Sequence, residues 1–194
     1  PSINFYKKMG GKIVSVRKSI VNNIELEEVG IAYTLSNYFI VDYNNKYAEQ
    51  ISKIINKNLL EINSKDYGID FVKKHTEEFT VSKVKENFSK RTKTFVALEN
   101  NIVVGTAGLD KSWYDDNGEY WILSVFVDKN HHKKGIGKML IYKIEDYAKE
   151  INAKKLVIPA SITACEFYSK LGYKYKDGLK KLNSDKMYIM EKML

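Results

Sequence analysis

The residues best suited to chemistry lie in one stretch, Val125-Phe126-Val127-Asp128-Lys129-Asn130-His131-His132-Lys133-Lys134-Gly135-Ile136-Gly137-Lys138. A β-branched run enters a loop, and a Gly-x-Gly pair opens an apolar-periodic segment. Glycine lets a backbone turn tightly and approach a ligand closely. The first turn of a helix adds unpaired N–H groups and partial positive charge, which together suit a phosphate or pyrophosphate. Lys133, Lys134 and Lys138 bring full charges, each charge-assisted bond being worth ~1.5–3 kcal/mol before ordering costs. The same residues also suit a glycine loop ahead of a core helix with solvated lysines. Two other nucleotide sites are excluded. No G-x-x-x-x-G-K-(S/T) run exists, and Leu140 breaks a G-x-G-x-x-G pattern.

A second stretch is Glu166-Phe167-Tyr168-Ser169-Lys170-Leu171-Gly172-Tyr173-Lys174. It repeats Asn4-Phe5-Tyr6-Lys7-Lys8-Met9-Gly10-Gly11-Lys12, both reading Phe-Tyr-x-Lys-(Met/Leu)-Gly-x-Lys without gaps. Each copy has the pattern of a helix end stopped by glycine and followed by a β-rich segment. Tyr6 has no Gly-x-Gly partner and reads as core packing.

The elements that must position these residues follow from hydrophobic spacing. Strands are expected at 38–43, 93–99, 102–109, 119–127 and 155–158. The pair around Asn100-Asn101 reads as a tight hairpin. Helices are expected at 47–62, with Ala48, Ile51, Ile54, Ile55, Leu59 and Ile62 on one face, and at 81–88, 137–151 and 163–171. Residues 63–79 are polar and ambiguous. A hairpin is expected between 173–177 and 187–192, and another between 12–19 and 24–34 around Val21-Asn22-Asn23. The order predicts an α+β fold with a mixed sheet. The repeat does not extend further, so residues 1–36 read as the tail of one domain and 37–194 as a whole one.

Of 194 residues, 44% are hydrophobic and 29% charged, which are globular values. No apolar run approaches the ~18–20 residues of a membrane span, and no signal-peptide core is seen, so a cytoplasmic, non-membrane protein is expected. Cys165 is the one cysteine, which rules out an internal disulfide and a cysteine-built zinc site. His75, His131 and His132 form no metal constellation, and no metal is expected. Lysine and arginine exceed acidic residues by 8, yet only Arg17 and Arg91 are arginine and the lysines are spread. Nucleic-acid binding therefore has little support, and a local anion site fits the charge better.

Taken together, the two stretches resemble the GNAT superfamily of N-acetyltransferases. The signature (Arg/Gln)-x-x-Gly-x-(Gly/Ala) maps onto His132-Lys133-Lys134-Gly135-Ile136-Gly137, and Asn-x-x-Ala-x-x-Phe-Tyr-x-x-x-Gly-(Phe/Tyr) maps onto the residues from Ser161 to Tyr173. The resemblance implies the three-layer GNAT fold, a mixed, mostly antiparallel sheet flanked by helices, with its fourth strand (121–127) and fifth strand (155–158) splayed around acetyl-CoA. It implies that Val125, Phe126 and Val127 pair with the pantetheine arm. The amides from His132 through Lys133, Lys134, Gly135, Ile136 and Gly137 to Lys138 would hold the pyrophosphate. A bulged N–H would polarise the thioester, Ser161 would touch the thiol end, and Tyr168 would face the sulfur. The implied reaction is direct acetyl transfer to an amine of a small molecule or protein. Full proton transfer from an ordinary tyrosine to a thiolate is uphill by ~2 kcal/mol, so a hydrogen bond to the developing thiolate is the larger part of the role.

Three positions depart from the family pattern. His132 replaces Arg or Gln, and Ser161 replaces Asn while keeping the ability to cap at Thr163. Many members carry a strand-four glutamate where Trp121 stands; Glu119 has the same parity and is the candidate base. A non-catalytic acyl-CoA-binding module is the alternative. Residues 1–36 resemble the final helix turn and last strands of a second GNAT copy. They suit a tandem partner domain or a homodimer, with Ile13, Val14, Val16, Ile31, Tyr33 and Leu35 packed on a sheet edge. Trp113 and Tyr114 are expected in a loop lining an acceptor pocket. The acceptor itself is not encoded.

Overall fold

The computed structural model describes residues 3–4, 12–22, 24–32, 37–112 and 117–194. The expectations for Phe5, Tyr6, Gly10, Asn23, Tyr33, Leu35, Trp113 and Tyr114 lie outside the described residues. The chain forms two compact units, Pro1–Asn37 and Tyr38–Leu194.

The first unit holds an antiparallel pair, β1 (Lys12–Val21) and β2 (Ile24–Ala32). Val21 faces Ile24, so the turn spans two residues, and Asn22 takes the positive φ of 53° that such a turn demands. A register shift falls between Ile13 and Ser15.

The second unit is a seven-stranded sheet in the order β3-β4-β5-β6-β7-β9-β8. Its strands are β3 (Tyr38–Asp42), β4 (Lys93–Glu99), β5 (Ile102–Lys111), β6 (Glu119–Val127), β7 (Lys155–Ala160), β8 (Lys174–Tyr175) and β9 (Tyr188–Met193). All pairings are antiparallel except β6 with β7. The β4–β5 turn uses Asn100 and Asn101 at φ 50° and 65°, as a two-residue hairpin requires.

The helices are α1 (Ala48–Asn58), α2 (Ser64–Tyr67), α3 (Ile69–Thr76), α4 (Val81–Lys90), α5 (Ile136–Glu150) and α6 (Cys165–Lys170). Side chains alternate across a strand, and β4 shows the result. Phe95 and Ala97 join the core under α5 and α6, with Ile136, Leu140, Ile144 and Tyr168. Val96 and Leu98 join the opposite core under α1 and α4, with Ile51, Ile55, Val84 and Phe88. Helices thus cover both faces of the sheet in three layers.

Two expectations are corrected and one ambiguity is resolved. The helix expected at 47–62 is α-helical only to Asn58; a π-helical turn, Leu59–Asn63, follows. Residues 63–79, polar and ambiguous in sequence, are mostly helical, because Tyr67 and Val72 supply a buried stripe. The strand expected at 173–177 shrinks to Lys174–Tyr175, since Asp177 turns the chain at φ 54° and β9 enters between β7 and β8. No helix among the described residues is long and apolar enough to cross a membrane.

Candidate active site

The site starts from a sheet defect. β6 and β7 pair in parallel only at Glu119–Lys155, Tyr120–Leu156 and Trp121–Val157. Beyond Trp121 the two strands separate, while β6 stays paired with β5 through Phe126–Thr106 and Val127–Gly105. Between Leu123 and Phe126 the register against β5 slips, so β6 carries a bulge. Ser124 sits in it at φ 51°, a left-handed conformation that costs a non-glycine residue about 1–2 kcal/mol. The gap and bulge open the sheet where the resemblance implies a splay.

A groove of about 670 Å³ fills the gap. Val125, Phe126 and Val127 form one wall, Ser161, Phe167 and Tyr168 another, and the turn into α5 closes one end. The wide turn after α1 brings Asn58, Ile62 and Asn63 to the groove. At the α5 end, Gly135 has φ 84°, which favours glycine. Gly137 is needed for a different reason: a Cβ there would meet the Phe167 ring at 3.2 Å. Among the described residues, the amides of Lys133, Lys134, Gly135, Ile136, Gly137 and Lys138 donate to no protein acceptor. The α5 helix itself begins with the Met139 amide donating to the Gly135 carbonyl at 3.0 Å. The six unspent N–H groups, the helix dipole and Lys133 and Lys138 on the lining make an anion cradle. Lys134 does not line the groove.

His132 of the expected cradle and Val127 of the expected pantetheine wall are already engaged. The His132 amide donates to the Lys129 carbonyl at 3.3 Å, and its Nε2 donates to the Val127 carbonyl at 3.0 Å. Asn58 Nδ2 donates to the same Val127 oxygen at 3.1 Å. His132 therefore holds the loop against β6, and the Val127 carbonyl has its acceptor capacity filled. Lys129 pairs with Glu61 at 3.2 Å, and His131 Nε2 meets Glu99 at 3.0 Å.

Tyr168 lies on the wall shared with a second cavity of about 340 Å³ on the far side of the bulge. Burial, helped by nearby Cys165, pushes the Tyr168 phenol well above its ordinary value. It thus stays protonated and able to donate, and a completed proton transfer becomes harder still. Ser161 also lines both spaces, but its side chain caps no backbone N–H; its Oγ lies 3.5 Å from Thr163 Oγ1. The Ile162 amide donates to the Tyr67 hydroxyl at 3.1 Å and ties α2 to this corner. Cys165 is buried, donates to the Ser161 carbonyl, and its thiol is pushed up by burial, so it is not poised as a nucleophile.

Glu119 is not brought to this site. It lines neither cavity, lying three positions before Ile122, the nearest lining residue of β6, roughly 10 Å at ~3.3 Å per residue. Burial works to raise its pKa, but hydrogen bonds from Lys155, Trp121 and Ser112, with the Lys155 charge, hold the carboxyl below its ordinary range. Lys155 Nζ stands 2.7 Å away, and Trp121 Nε1 donates at 2.9 Å. A carboxylate so engaged ties β6 to β7 at their parallel pair.

Sequence reading missed the second cavity. Tyr67, Phe71 and His75 fall at i, i+4 spacing and stack, with ring centroids 5.4 Å and 4.2 Å apart along the row. They line the cavity with Phe79 and Arg91. The signal was the aromatic i, i+4 row within a segment that looked merely polar. Arg91 left no local signal. Among the described residues no group of three or more His, Cys, Asp or Glu is placed to hold a metal.

Comparison with known proteins agrees with this geometry. A family profile described as the acetyltransferase (GNAT) family matches residues 56–173. Streptothricin acetyltransferase A of Bacillus subtilis (strain 168) is 36% identical over 76 residues, which are 38% of this chain and 42% of that protein. The chain thus matches less than half the length of that relative. The PaiA N-acetyltransferase of Thermoplasma acidophilum, solved in complex with coenzyme A, superposes with a TM-score of 0.69 at 15% identity over 81% of this chain and 99% of that one. A GCN5-related N-acetyltransferase from Rhodopseudomonas palustris gives 0.68 at 20% identity over 84% and 99%. At these identities the structural likenesses speak for the fold.

Proposed function

Because the chain belongs to the acetyltransferase (GNAT) family, we propose that it transfers the acetyl group of acetyl-CoA to a primary amine of a small molecule or protein, by direct attack in a ternary complex. The observation that carries this reading is the set of unspent amides from Lys133 to Lys138 at one end of a groove whose other end meets a second cavity at Tyr168. The coenzyme A complex of the Thermoplasma relative supports the same choice of carrier.

In this reading the cradle holds the pyrophosphate, and the open edge of β6 at Val125 takes the pantetheine arm. A bulge amide beside Ser124 polarises the thioester oxygen, as an oxyanion donor does. A neutral amine enters from the second cavity and forms a C–N bond as the C–S bond breaks. Tyr168 donates a hydrogen bond to the departing thiolate. The amine must lose a proton, and His75 lines its cavity with one nitrogen free to take it. His75 thus takes the place first given to Glu119.

An acyl-CoA-binding module without catalysis is the second reading, favoured by the engagement of Glu119. Thermal shift with acetyl-CoA and coenzyme A, followed by thiol release over an amine panel, separates them. Binding with turnover supports the enzyme; binding without turnover of any amine supports the module. No binding overturns both. We further propose that residues 1–36 are the tail of a second domain of this kind.

A further inference from the structure

Arg91 follows α4 in extended conformation, and its guanidinium carbon lies 4.2 Å from the Phe88 ring centroid. It occupies a notch on β5 that only glycine leaves open: a Cβ on Gly108 would come within 2.5 Å of Nη1. Nη2 donates to the hydroxyl of Ser124, the bulge residue, at 3.0 Å. Nη1 is buried and has no hydrogen-bond partner. Asp110 acts on the guanidinium only through its charge, and its Oδ1 accepts from the amides of Thr92 and Lys111 and from the Thr92 hydroxyl. Burial lowers Arg91 to about 10, which leaves it charged at neutral pH. It forms no ion pair among the described residues.

A desolvated guanidinium with spare donors and no hydrogen-bonded anion is costly to hold. Its planar fork matches a carboxylate in shape and charge. The cavity it lines is otherwise walled by Tyr67, Phe71, Phe79, Phe126 and Val72, which recognise apolar or aromatic bodies. At about 340 Å³, it is sized for a compact molecule.

We propose that the acceptor is a small aromatic or apolar amine that also bears a carboxylate, and that Arg91 reads the carboxylate while the Tyr67–Phe71–His75 row takes the body. This rests on the reading of the larger groove as the acetyl-CoA site. The charge of the ligand completes what Ser124 alone leaves unpaired.

The test compares phenylalanine with phenethylamine, which lacks the carboxylate, at saturating acetyl-CoA. Coenzyme A binding is followed by thermal shift on the same samples. Wild type should favour the carboxylate partner by at least about ten-fold in kcat/KM, the range of one or two charge-assisted hydrogen bonds. Arg91→Gln should bring the ratio toward one, and Arg91→Lys, with charge but no fork, should fall between. Should Arg91 serve only to prop the bulge, its variants would slow both amines alike and keep their ratio, which overturns the proposal. A wild-type ratio near one overturns it too. With coenzyme A still bound, either result leaves the acetyl-CoA reading standing; absence of coenzyme A binding brings down both.

Discussion

The ring of His75 donates its Nδ1 hydrogen to the carbonyl oxygen of Phe71, 2.9 Å away and one helical turn back. A carbonyl oxygen can only accept, so this bond fixes the tautomer and leaves Nε2 with a lone pair in the neutral ring. The stacked Phe71 ring, 4.2 Å from it, holds the imidazole in plane. His75→Phe keeps the stack and removes the base. Turnover should fall by about ten- to a hundred-fold, within the usual contribution of a positioned base, while the KM for acetyl-CoA holds. Steady-state kinetics at several pH values checks it; unchanged turnover would remove His75 from the mechanism.

Tyr168→Phe deletes one hydroxyl and preserves the packing against Phe167 and Tyr173. The expected loss is in kcat, by about ten-fold or more, because the hydrogen bond matters as thiolate charge develops. The elevated phenol also predicts that the rate shows no basic limb from Tyr168 up to its ordinary value of 10.0. A pH–rate profile of both proteins reads this directly.

Gly135 stands at φ 84° with nothing within 4 Å of an added Cβ, so alanine there is strained by its backbone and not by crowding. Gly135→Ala should cost about 1 kcal/mol in stability and turn the cradle amides off their mark. Calorimetric titration should show coenzyme A binding weakened well beyond the stability change. Gly137→Leu acts differently, driving a side chain into the Phe167 ring, and should shift the melting temperature as well.

Glu119 sets an acid-side prediction. Its folded pKa lies below its ordinary 4.5, so its stabilising contribution is fully present above 4.5 and is lost as pH falls through the folded value. Glu119→Gln should lower stability near neutrality by about 1–3 kcal/mol and flatten the acid dependence of unfolding. Turnover of the folded variant should be retained, because the Lys155 partnership lies away from the groove. Denaturant melts across pH 3–7 would show a steep acid loss persisting in the variant if Glu119 were not its source.

The framework was legible where local chemistry and tertiary demand coincide. The Asn100-Asn101 turn, the β4 alternation and the Ile51–Ile55 face needed only periodicity, and Gly135 and Gly137 were readable because their backbone roles have few substitutes. The acceptor side was not. Tyr67, Phe71 and His75 belong to a polar-looking segment, and Arg91 joins them only because Gly108, on another strand, leaves room. That Glu119 lines neither cavity was hidden for a related reason. Parity tells which face a residue takes, but not that Lys155 and Trp121 wait there, nor how far along the strand the bulge falls.

The parting of β6 from β7 beyond Trp121 leaves an interior row of backbone donors and acceptors facing a trough instead of a neighbouring strand. Whatever fills that trough acts as a removable rib of the sheet. Solutions stored with coenzyme A should accordingly stay clear longer, and exchange the amide hydrogen of Val125 more slowly, than solutions stored without it.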